Sequence, residues 1–160
     1  MDDKVKTQTT KDGSVYPDRR VWNIDEIEFT PFNRYGSEVS KLFWAPLTFD
    51  RATGKGCFLI RFLPGGTSTP HEHHGYEEFY VAEGSVIDHD GVEYKAGHFV
   101  SLKPGTKHFS HSPNGALLVA WLTDNNRVVE PGENLSWGKP TGWALDTPHS
   151  KAKPGMKKAG

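Results

Sequence analysis

His71 and His73 stand one residue apart behind Pro70. In an extended strand, side chains two positions apart point to the same face. Two imidazoles so placed converge on one point, and the intervening parity turns His74 elsewhere. Pro70 supports the extended geometry, because it fixes its own φ and favours β or polyproline backbone before it. Glu77 follows His73 after His74-Gly75-Tyr76, and Gly75 permits a turn that returns the carboxylate to the imidazoles. His108 follows Pro104-Gly105-Thr106-Lys107 and brings a third imidazole from a different strand. Three neutral imidazoles and one carboxylate suit Fe, Mn, Co, Ni, Cu or Zn, and suit Mg or Ca poorly. The pattern predicts one divalent transition-metal ion on His71, His73, Glu77 and His108.

Other side chains could support chemistry nearby. Tyr76 and Tyr80 are candidate catalytic acids or bases beside a bound substrate, with packing as the competing role. His89, His98 and His111 fall at turns or strand ends and read as solvent-facing; His111, three residues past His108, has the wrong parity for the metal. Glu78 reads as a surface residue. Arg61 interrupts Ile60-Arg61-Phe62 and either meets a carboxylate substrate or points to solvent. Cys57 is the only cysteine, so no intramolecular disulfide forms, and its apolar run makes it a buried, inert thiol.

Several short elements are needed to hold these residues. Apolar runs recur at Leu42 to Phe49, Cys57 to Leu63, Glu78 to Val81, Ser85 to Asp88, Val92 to Lys95, His98 to Lys103, Lys107 to His111 and Ala116 to Leu122. Turn residues separate them, including Pro64-Gly65-Gly66, Glu83-Gly84, and Asp90-Gly91, a pair suited to positive φ in a tight hairpin. Short, β-branched or aromatic runs punctuated this often predict an all-β sandwich or barrel. Phe58, Ile60, Phe62, Phe79, Val81, Phe99, Leu118 and Ala120 are its expected lining. Residues 1–20 read as a disordered or extended arm, 21–125 as the barrel, and 126–160 as an irregular segment with a disordered end. Within the first part of the barrel region, Val21 to Phe32 is expected to form a short strand or an extended arm packing on the barrel. Trp137, Trp143 and Leu145 are expected to cover the barrel or a partner subunit.

The 160 residues suffice for one domain with a genuine core. Nineteen basic against twenty acidic residues give a net charge of -1, with no basic footprint for nucleic acid. The lysines near the C-terminus (Lys151, Lys153, Lys157 and Lys158) sit among Ala, Pro and Gly and read as a solvated end. No apolar stretch reaches membrane-spanning length, and Met1 to Thr10 lacks an apolar leader, so a cytoplasmic protein is expected.

The spacing from Gly65 through His71-x-His73 and Glu77 to Gly84 resembles the first motif of the cupin family at each fixed position. Gly97, Lys103-Pro104-Gly105 and His108 resemble the second. There, Lys103 replaces the usual Pro and Ser112 the usual Asn. The resemblance covers roughly residues 40 to 122 and implies a cupin jelly-roll barrel, or double-stranded β-helix. It also implies a metal ion inside (Fe, Zn, Mn or Ni) and assembly as a homodimer. Glu77 to Ser85, then Asp88-His89-Asp90-Gly91, look like cupins related to the zinc-binding anti-sigma-factor domain. Small bacterial dioxygenases that cleave carbon–carbon bonds in diketones or hydroxyacetophenones are similar too. The resemblance therefore implies a metal-dependent dioxygenase acting on a small oxygenated molecule. The alternatives are a zinc-binding sensor or ligand-binding cupin without turnover, and an O2-independent isomerase or lyase.

Overall fold

The computed structural model describes residues 9–10 and 13–135. Trp137, Trp143, Leu145 and the C-terminal lysines lie outside the described residues. Fifteen strands, and no helix, occur among those described. The arm contributes β1 (Thr9–Thr10), β2 (Gly13–Val15), β3 (Arg20–Val21) and β4 (Thr30–Pro31). Then come β5 (Leu42–Pro46), β6 (Gly56–Phe62), β7 (Gly66–Thr67), β8 (His71–His73) and β9 (Glu77–Asp88). The remainder are β10 (Glu93–Lys95), β11 (Phe99–Leu102), β12 (Lys107–His108), β13 (Ser110–Ser112), β14 (Ala116–Leu122) and β15 (Asn126–Val128).

All pairings are antiparallel. The main sheet runs β4-β5-β6-β14-β9-β13-β7, with β10 and β11 also on β9, and a smaller sheet runs β12-β8-β15. Together they form a curled half-barrel of the jelly-roll kind. Its interior is filled by Phe32, Leu42, Trp44, Phe58, Phe62, Phe79 and Val81. On the outside, Ile24, Ile27 and Phe29 pack over Ala45, Leu59 and Leu117, so the segment preceding the barrel seals one outer wall.

β9 is the element that sequence patterning divides wrongly. Glu83-Gly84 reads as a turn, yet the strand is continuous over twelve residues. A bulge there shifts the register against β14: Leu117 faces Glu83 while Leu118 faces Val81. Gly84 has φ of 68°, and a Cβ on it would meet the Gly115 carbonyl oxygen at 2.1 Å, so a side chain is excluded. The extra residue moves the inward face from odd positions (Glu77, Phe79, Val81) to even ones (Val86, Asp88).

Two further expectations change. Phe99 does not line the interior; it lies 59% exposed on an outer strand, opposite Tyr80. Strand texture also continues past Leu122. β15 pairs with β8, setting Asn126 opposite His73 and Val128 opposite His71. Asn126-Arg127-Val128 carries no apolar alternation of its own, so its extended form comes from pairing rather than propensity. Across the small sheet Arg127 bridges Glu72 and Glu133, and Glu133 reaches Lys107 at 3.3 Å, tying β15, β8 and β12 together.

Candidate metal centre

β8 is the middle strand of the small sheet and supplies His71 and His73 to one face; Glu72 between them points the other way. β12 places His108 directly opposite His71. Glu77 opens β9, one short connection after β8. That connection is held by pairing to the segment after β14: His74 N–H donates to the Asn125 carbonyl, and Tyr76 N–H to Thr123 Oγ1. Gly75 serves here through close approach rather than unusual φ. A Cβ on it would sit 2.5 Å from Thr123 Oγ1 and 2.7 Å from the Asp124 backbone nitrogen.

The four predicted residues are all buried and come together. One donor atom from each of His71, His73, Glu77 and His108 lies within 4.8 Å of the others. The imidazole centroids are 4.7 to 4.9 Å apart. Glu77 Oε2 is 3.5 Å from His73 Nδ1 and 3.8 Å from His71 Nε2.

The far sides of the rings are occupied. His71 Nδ1 donates to the Thr69 carbonyl at 2.7 Å, which a carbonyl can only accept, so Nε2 is left as the acceptor. His108 Nδ1 lies 3.1 and 3.2 Å from the two Asp88 oxygens and likewise donates. Asn126, with its amide oriented to satisfy both ends, accepts from Arg34 Nη1 at 3.1 Å and lies within 3.2 Å of His73 Nδ1. Meanwhile His73 Nε2 and His108 Nε2 are buried with no hydrogen-bond partner among the described residues. Buried acceptors left without a partner are costly and rare. A cation bound among them explains their retention, and the donor set fits a divalent transition metal.

Protonation agrees. Burial lowers His71, and lowers His73 to about 3, so both are neutral near pH 7 and able to ligate. Burial works against His108, but the hydrogen bond to Asp88 and the charges of Glu77, Asp88 and Asp90 together outweigh it and raise the imidazole above its ordinary value. Burial opposes the Glu77 carboxylate, and the surrounding imidazoles outweigh that, holding it below the carboxylate range.

The donors border an apolar inner chamber of about 40 Å3, walled by Phe58, Ile60, Phe79 and Leu118 with Tyr35 at its side. The Tyr35 ring lies 5.9 Å from His71, and burial pushes its phenol up to about 12, so it stays protonated. Sequence reasoning missed Tyr35, Asp88 and Asn126. Only the bulge could have pointed to Asp88, and nothing local marks the other two.

The structure does not bring the two proposed catalytic tyrosines to this chamber. Tyr80 is 40% exposed on the outer face, because parity along β9 gives the interior to Glu77, Phe79 and Val81. Tyr76 sits half-buried in the β8–β9 connection and is not among the chamber's lining residues. Arg61 points outward over the Phe29 ring, 3.5 Å from Glu83. His98 is exposed, and His111 alternates outward between buried Ser110 and Ser112. Cys57 is buried, which pushes its thiol up to about 11.

Comparison with solved structures places this architecture among cupins. An acetylacetone dioxygenase from Acinetobacter johnsonii superposes with a TM-score of 0.62 at 15% identity, covering 73% of this chain and 82% of that one. An RmlC-like cupin protein from Ralstonia eutropha gives 0.59 at 17% identity, covering 71% and 74%. The polyketide cyclase RemF from Streptomyces resistomycificus gives 0.54 at 18% identity, covering 72% and 88%. These likenesses establish shared fold. A search of curated proteins by sequence finds no match. Residues 17–123, from the outer arm to the end of the last long strand, match the family described as the ChrR cupin-like domain, and the chain belongs to that family of cupins.

Proposed function

We propose that the protein is a metal-dependent dioxygenase acting on a small oxygenated organic molecule such as a diketone or aryl ketone. One observation carries the reading: a buried three-histidine, one-glutamate donor set that borders an apolar chamber. The fold shared with an acetylacetone dioxygenase supports it. A redox-active ion such as Fe(II), held by His71, His73, Glu77 and His108, supplies Lewis acidity toward a carbonyl and one-electron chemistry toward O2. The chain's own groups do the rest. Asp88 fixes the ring of His108 in one tautomer. Phe58, Ile60, Phe79 and Leu118 exclude water from the reacting centre. Tyr35, kept protonated, packs its ring beside His71 and accepts a hydrogen bond from Arg34 at its hydroxyl.

The test begins with metal analysis of the protein purified without added metal, followed by O2 uptake on adding a β-diketone or a dihydroxyphenyl ketone. Iron with substrate-dependent uptake is the expected result. His73→Ala should abolish metal binding, whereas His98→Ala, at an exposed position, should leave it unchanged. Equal loss in both variants removes the assigned ligand set.

A second reading is favoured by the size of the chamber. At about 40 Å3 it has room for roughly two or three waters, so a whole diketone does not enter without movement. That suits a metal-stabilised binding module without turnover. Zinc in the purified protein, with no O2 consumption across the substrate panel, supports this reading and overturns the first.

A further inference from the structure

A second cavity, of about 310 Å3, lies outside the inner chamber and shares Arg34 and Tyr35 with it. Arg34, Tyr35, Phe49, Arg51, Asn125 and Asn126 form its walls. Its size falls at the lower end of small-molecule sites, roughly 300 to 1,000 Å3. The two arginines stand out. Among the described residues neither belongs to an ion pair, although Arg19, Arg61 and Arg127 each do; the exposed Arg20 of β3 shares that lack but lines no part of this cavity.

What holds the two guanidiniums is aromatic. Arg34 lies 5.2 Å from the Tyr35 ring centroid and 5.1 Å from that of Phe49, and Arg51 lies 4.7 Å from that of Trp44. Their polar contacts go to neutral groups: Arg34 Nη1 to the Tyr35 hydroxyl at 3.2 Å and to Asn126, and Arg51 Nη2 to Asn33 Oδ1 at 2.9 Å. Stacking orients the planes and uses few of the five N–H donors on each. Two fixed, uncompensated cations at one cavity are built for an anion, and the planar fork matches a carboxylate bidentately. The rings of Tyr35 and Phe49 supply a flat apolar wall beside it.

We propose that this vestibule binds a small aromatic carboxylate, its acid group between Arg34 and Arg51 and its other end directed past Tyr35 to the inner chamber. The identification of that far end as the reacting end rests on the proposed metal-dependent activity. The substrate is then an aryl ketone that also carries a carboxylate, and only its oxygenated head has to enter the small chamber.

Benzoate is the probe, benzamide its uncharged counterpart, and titration calorimetry on the 160-residue chain the measurement, with metal content assayed on the same samples. Benzoate should bind the wild type, and benzamide should not. Arg51→Gln, at an exposed position, should weaken benzoate binding at least about tenfold with metal content unchanged, and Arg34→Gln should weaken benzoate binding at least as much. Arg34→Lys, which keeps the charge, should recover part of the loss. The proposal is overturned if benzoate fails to bind up to about 10 mM. It is also overturned if benzamide binds equally, if Arg51→Gln binds benzoate as the wild type does, or if inorganic phosphate competes on equal terms. Benzoate binding by a protein that carries no metal leaves the vestibule standing and sinks the metal reading instead.

Discussion

The carboxylate of Asp88 reaches the donor cluster through one ring. It is buried at the end of β9, with its oxygens 3.1 and 3.2 Å from His108 Nδ1. This contact fixes the tautomer that exposes Nε2 and makes the imidazole more basic. Asp88→Asn keeps the size and removes the charge. Metal affinity, measured by competition with a chromogenic chelator, should fall by about 10- to 100-fold while the folded signal persists. Unchanged affinity removes Asp88 from the site. The residue also marks the limit of sequence reading. His71 and His73 were legible because strand parity is a local rule, and it holds in β8. Asp88 has the wrong parity relative to Glu77, and only the bulge at Glu83-Gly84 corrects it. Tyr35 and Asn126 come from distant segments, so their place beside the histidines is a property of topology alone.

At the scale of elements, the site depends on the β8–β9 connection, which returns the chain so that Glu77 faces His73. Close contact with the segment after β14 fixes that connection. At Gly75 a methyl group would press on the Asp124 backbone nitrogen at 2.7 Å, and backbone there cannot yield as a flexible side chain would. Gly75→Ala should therefore destabilise the protein by about 1–3 kcal/mol in denaturant melts and weaken metal binding with it. Wild-type stability and affinity in this variant would contradict the clamp. Sequence patterning located β14 at its observed bounds, Ala116–Leu122, because that strand is apolar throughout and flanked by turn residues. It missed β15, whose three residues are specified by their partner. The same blindness hid the vestibule: Arg34 and Arg51 lie in separate loops, each unremarkable alone.

Over the whole molecule, the fold holds imidazoles neutral in a place where protonation is expensive, and that couples stability to pH. Burial takes His73 from 6.5 to about 3. Between those values the unfolded chain binds a proton at this position and the folded chain does not. The contribution of neutral His73 is therefore complete above about pH 6.5 and is lost as pH falls toward 3. His71 acts in the same direction, whereas His108, raised by Asp88, acts in the opposite one. Whole-protein pH profiles mix these effects, so the clean measurement compares wild type with His73→Asn, both stripped of metal. Across roughly pH 7.5 to 5.5 the stability difference should move in the variant's favour by about 1.4 kcal/mol per unit once below 6.5. A metal ion that ligates neutral His73 excludes that proton, so loading the wild type should hold its melting temperature up until protons displace the ion. A pH-independent difference between the two metal-free proteins would mean that His73 is not held neutral by burial.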